Sequence, residues 1–178
     1  MAGIRTFAQA RAFVKRVGIC GIFAEVEGHS LWDVTDLPDR QPGERGWGQK
    51  VSAVWTWKNL LPARHPDEIF YGKVKGGKAV LMSMARLREH YPQHHRPVRE
   101  CSPVAQRIHQ ALKFDPMTTP ELLRHLDMTH PPERNQFERG LKELQITLNI
   151  ARRNSEEDEN DTWVLFREQY LEIAGGAQ

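Results

Sequence analysis

Five side chains able to read or neutralise DNA fall within one short stretch: Arg134, Asn135, Gln136, Arg139 and Lys142. Arg, Asn and Gln each make paired hydrogen bonds with a base edge, while Arg and Lys neutralise phosphate. Glu133, Glu138 and Glu143 interleave with them, so the stretch is charge-balanced rather than a positive stripe. Downstream, Arg152 and Arg153 precede an acidic run of Glu156, Glu157, Asp158, Glu159 and Asp161. That run would meet phosphate with like charge unless the two arginines dominate locally. Lys73, Lys75 and Lys78 cluster around Gly76 and Gly77, where a tight turn exposes them; edge-strand protection is the competing reading. Lys50, Lys58, Arg64, Arg86, Arg88, Arg96 and Arg99 accompany Trp47, Trp55 and Trp57, a pairing suited to phosphate neutralisation and base stacking. Most such tryptophans serve a core instead.

Other chemistries find less. His90, His94, His95 and Cys101 are zinc-competent types, but Pro92 should break the helix that would align the first two, leaving a Pro/His-rich linker and no metal site. Cys20 and Cys101 lie in no Cys/His signature, and no Gly-x-Ser-x-Gly elbow is present. The Gly72–Lys78 segment lacks the Gly-Lys-Ser/Thr ending of a phosphate loop. No cofactor is expected.

The chain has 178 residues, 39% of them hydrophobic, with 25 Lys and Arg against 23 Asp and Glu. That is globular composition, neither collagen-like nor disordered. The longest apolar run, Ile19–Ala24, is far short of the roughly 18 residues of a membrane helix. No secretory signal pattern opens the chain, so a cytoplasmic location is expected, and two widely spaced cysteines read as free thiols. Residues 1–100 carry a net charge of +6 and residues 101–178 a net −4. Three prolines between His90 and Pro103 disfavour a continuous element, which suggests a basic α+β domain (1–92), a linker (93–101) and a second domain (102–178).

Hydrophobic spacing predicts a helix over 6–17 capped by Thr6 and ended by Gly18, and a strand from Ile19. The 37–48 segment reads as a long loop, and residues 69–83 as a hairpin turning at Gly76 and Gly77. Trp55 and Trp57 are expected on one strand face. Pro92 should end a short helix beginning at Met84. In the second domain Ser102-Pro103 and Thr119-Pro120-Glu121 read as helix starts. Phe137, Leu141 and Leu144 mark the inner face of a third helix, followed by strand, polar loop and strand. That order predicts a winged helix, a helix-turn-helix variant that places its third helix in the major groove.

Phe13–Cys20, Ser30–Asp33, Trp55–Lys58, Phe70–Val74 and Leu141–Gln145 resemble the AlkZ-related winged-helix bacterial proteins, distantly similar to the AlkZ/YcaQ DNA glycosylases. The resemblance implies nucleic-acid binding and a link to repair. Those glycosylases carry a Gln-apolar-Gln or Gln-apolar-Asp motif, and the nearest match here is Gln145-Ile146-Thr147. Gln145 and Thr147 are therefore the catalytic candidates, although a threonine hydroxyl cannot act as the anionic base a carboxylate supplies. Gln145 otherwise pins the end of the third helix. The expectation is a non-catalytic module binding duplex DNA and associated with repair. The alternatives are a glycosylase excising alkylated or cross-linked bases, with Asp161 as a further carboxylate, and a winged-helix module for a protein partner or homodimer.

Overall fold

Thr6 opens the first helix, α1 (Phe7–Val17), with a reciprocal cap. Its hydroxyl accepts from the Gln9 amide at 3.3 Å, and the Gln9 side chain accepts from the Thr6 amide at 3.2 Å, satisfying amides that a helix start leaves orphaned. Gly18 ends the helix at φ +80°, a conformation glycine adopts without steric cost. The structure is a computed structural model in which residues 3–176 are described, and these hold nine α-helical segments and two three-stranded sheets. The first elements continue as β1 (Ile19–Gly21), α2 (Leu31–Val34), α3 (Gln49–Arg64), β2 (Ile69–Lys73), β3 (Ala79–Ser83) and α4 (Met84–His94). The sheet order is β1-β3-β2, with Ile19 opposite Met82 in antiparallel register.

Two sequence expectations fail here. Trp55 and Trp57 lie on helix α3, not on a strand; two residues apart on a helix point to different sides, so Trp57 is buried with Val54 and Leu61 while Trp55 is 42% exposed. Pro92 does not end α4, which runs on to His94. Aromatic contacts compensate: Tyr91 stacks between His95 (4.7 Å) and Phe166 (5.2 Å), and His90 stacks on His94 at 4.0 Å.

By contact the chain forms two units, one holding the chain up to residue 71 with 78–87 and 154–156, the other holding 72–77, 88–153 and the chain from 157 onward. The first unit packs Phe13, Val14, Leu31, Val54, Leu61 and Leu81 into one core. On its surface Glu68 accepts from Arg11 at 2.6 and 2.7 Å and from Lys15 at 3.1 Å. Those hydrogen bonds, Arg11's first, lower the Glu68 carboxyl from 4.5 to about 2. A depressed folded pKa stabilises above the unfolded value, and this contribution is lost as pH falls from 4.5 towards 2. Glu68→Gln should therefore lower the melting temperature at pH 7 and have a diminishing effect as pH falls through that window, as thermal melts across pH will report.

Beyond the hairpin turn and the later part of α4, the second unit holds a 3-10 turn, Val98–Glu100, then α5 (Pro103–Leu112), β4 (Met117–Thr118), α6 (Thr119–His125), α7 (Glu133–Ile146), β5 (Ile150–Arg152), β6 (Thr162–Leu165), α8 (Phe166–Gln169) and α9 (Leu171–Gly175). Ser102 caps α5 with Pro103 in its first turn. The cap of α6 is Thr118 rather than Thr119, because Glu121 closes a capping box with Thr118. β6 is central, with Met117 opposite Trp163 on one side and Ile150 opposite Leu165 on the other. Ile108, Leu112, Leu122, Phe137, Leu144 and Trp163 form its core. At Gly140 the α5 and α7 backbones come close: a side chain there would reach within 3.1 Å of the Ala105 amide. Among the described residues no helix is long and apolar enough to cross a membrane.

Candidate nucleic-acid interface

Helix α7 separates its residues by face. Phe137, Leu141 and Leu144 at i, i+4 and i+7 turn inward, while Arg134, Asn135, Gln136, Arg139 and Lys142 are exposed. Asn135, Glu138, Arg139, Lys142 and Gln145 follow helical spacing along one side, and with Lys73 and Leu141 they line a groove of about 430 Å³. Every one of these residues belongs to the second unit. Lys73 joins them because the hairpin turn approaches α7: a side chain at Gly77 would come within 3.1 Å of Lys142 Cδ. Gly77 also sits at φ +80°. A turn made of glycine thus both reverses the chain and leaves room for the Lys142 stem.

The groove carries three cations, Lys73, Arg139 and Lys142, against one carboxylate, Glu138. Burial lowers the Lys73 pKa, and the Lys142 charge lowers it further; Asp161 opposes the shift. Two ammonium groups held near each other repel, and an intervening anion relieves that repulsion. The glutamates that balance this helix in sequence are largely occupied. Glu143 accepts from the Ser102 amide and hydroxyl, the latter at 2.6 Å, and Glu138 pairs with Arg134 at 3.4 Å.

Several candidates lie elsewhere. Gln136 is exposed but does not line the groove, and Arg134 faces Glu138. Lys75 is exposed, and Lys78 donates to the Glu25 carbonyl at 3.0 Å in the first unit. Arg153 pairs with Asp158 at 2.7 Å and Arg152 with Asp161 at 3.6 Å, the Arg152 side chain being only 9% exposed. Glu156 pairs with Arg64 at 2.9 Å. The acidic loop is thereby partly neutralised by its own and neighbouring arginines. Glu138 and Leu141 are groove residues the sequence reading missed; their positions three and four residues from Asn135, Lys142 and Gln145 were the available signal.

Gln145 and Thr147 occupy different surroundings. Gln145 is buried at the groove wall and donates through Nε2 to the Leu141 carbonyl at 3.2 Å. Thr147 lies outside the groove: its hydroxyl donates to the Glu143 carbonyl at 2.8 Å and accepts from Asn149 Nδ2 at 2.8 Å. Burial pushes the Cys20 thiol up to about 12 and also raises Cys101, so neither is held as a nucleophilic thiolate. Among the described residues no group of three or more His, Cys, Asp or Glu side chains is placed to hold a metal ion.

A model of the family described as AlkZ related matches residues 4–167. No curated protein and no solved structure matches the chain.

Proposed function

Because this chain belongs to the AlkZ-related family, we propose that it is a non-catalytic, repair-associated module whose second unit is a winged helix that binds duplex DNA without excising a base. The order α5, β4, α6, α7, β5, β6 with a β4-β6-β5 sheet supports the winged-helix reading. The observation that carries the reading is the groove, where Lys73, Arg139 and Lys142 meet beside Asn135. The cations hold the phosphate backbone, and Asn135 and Arg139 are the side chains suited to base edges. Lys75, Lys78, Arg134, Gln136, Arg152 and Arg153 are secondary in this account.

Base excision is the second reading, favoured by Gln145 standing on the groove wall. It is disfavoured by Thr147, whose hydroxyl is already committed to buried partners. Fluorescence anisotropy on an end-labelled duplex separates the readings when combined with a base-release assay on alkylated DNA. Saturable binding that weakens steeply with salt, without base release, is expected. Release that Gln145→Ala abolishes would instead make the protein a glycosylase, and absence of binding at low salt would leave a protein-docking role.

A further inference from the structure

A second cavity in the same unit shares no residue with the groove. It has a volume of about 330 Å³ and lies among α4, α5, α9, the start of α8 and the turn that ends α7. Its polar lining is Arg167, His109, His95, Tyr91 and Asn149; none of the lining residues is Asp or Glu. Arg167 is the one permanently charged side chain in that lining. Burial lowers the His109 pKa first, and the Lys113 and Arg167 charges lower it further; Arg167 also acts on the Tyr91 phenol, which burial raises. Among the described residues no carboxylate pairs with Arg167. His95 is fixed by its Nδ1 contact with the Thr147 carbonyl at 3.1 Å, leaving Nε2 outside that bond.

We propose that this cavity binds a small organic phosphate monoester, with Arg167 as the charged anchor and His109, Tyr91 and His95 as its polar partners. A tetrahedral phosphate offers more acceptor oxygens than a carboxylate, which suits one cavity lined by several potential donors, and the planar guanidinium takes two of them at once. The remaining wall, with Val98, Leu148 and Leu171, is apolar and receives the organic part. The volume falls at the lower end of the roughly 300–1,000 Å³ of small-molecule sites. Leu148 contributes from φ +57°, and its neighbour Asn149 donates its amide to the Leu144 carbonyl at 2.9 Å. The ligand therefore rests on the turn that terminates the proposed recognition helix. The assignment does not depend on DNA binding.

Isothermal titration of the full chain with phenyl phosphate, inorganic phosphate and phenol tests it. Saturable binding is expected for phenyl phosphate, at least tenfold tighter than for inorganic phosphate, and none for phenol. Arg167→Gln should weaken phenyl phosphate at least tenfold, and His109→Gln by less, with circular dichroism and melting unchanged because Arg167 is exposed. Lys142→Gln, in the groove, should leave it unaffected. The proposal is overturned if phenyl phosphate does not saturate, if inorganic phosphate binds equally well, or if Lys142→Gln rather than Arg167→Gln removes binding.

Discussion

Phe137→Ala should melt the second unit at temperatures where the first remains folded, and duplex binding should disappear with it. Phe137 is fully buried, on the inner face of α7, within the cluster of Ile108, Leu122 and Trp163. Removing a buried phenylalanine ring costs about 3–5 kcal/mol, through lost burial and through the cavity left behind. Whole domains are stable by only about 5–15 kcal/mol, so one ring is a large share. Collapse into the space is restricted by the α5–α7 crossing, where a side chain added at Gly140 would already come within 3.1 Å of Ala105 and Val104. Differential scanning calorimetry should resolve an early transition in the variant, and loss of duplex binding should track that transition rather than the later one.

Neutralising the groove should weaken duplex binding without unfolding. In Lys73→Gln/Lys142→Gln both residues keep polar, flexible side chains, and both the burial of the Lys73 charge and the Lys142 repulsion that adds to it are relieved, so the folded state is not weakened. Each lysine–phosphate contact is worth roughly 1–1.4 kcal/mol after solvent screening, and two such losses weaken the duplex affinity roughly thirtyfold to hundredfold. Lys75→Gln, whose side chain is exposed but outside the groove, serves as the control and should change affinity far less.

Much of the architecture is legible in sequence where local signals are strong. The Thr6 cap with Gly18, the Ser102-Pro103 start and the Phe137, Leu141, Leu144 spacing each specify a helix from within a few residues, and all three helices form. The Gly76–Gly77 turn likewise appears between β2 and β3. Misreadings arise where tertiary contacts override the local pattern. Trp55 and Trp57 mimic strand alternation, yet α3 accommodates both by burying one and exposing the other, with the Lys58 ammonium 3.6 Å above the Trp55 ring. Pro92 is tolerated because stacking around Tyr91 and His90 holds the last turn of α4. β4 has only two residues and exists through its pairing with β6, a long-range partner with no local trace.

The site divides in the same way. The cations of α7 and the hairpin lysines are evident as residue types, but which of them converge depends on the approach of Gly77 to Lys142, a distance that no spacing rule supplies. Sequence order likewise makes Glu143 a charge-balancing neighbour, whereas the fold spends its carboxylate on the start of α5.

The most direct test of the groove as the DNA contact is the salt dependence of duplex affinity, measured by anisotropy for the wild type and for Lys73→Gln/Lys142→Gln. Each neutralised phosphate contributes about 0.9 to the slope of log affinity against log salt. The wild type should give a steep slope and the double variant one shallower by roughly 2. Equal slopes for the two proteins would contradict the account and remove the groove from the interface.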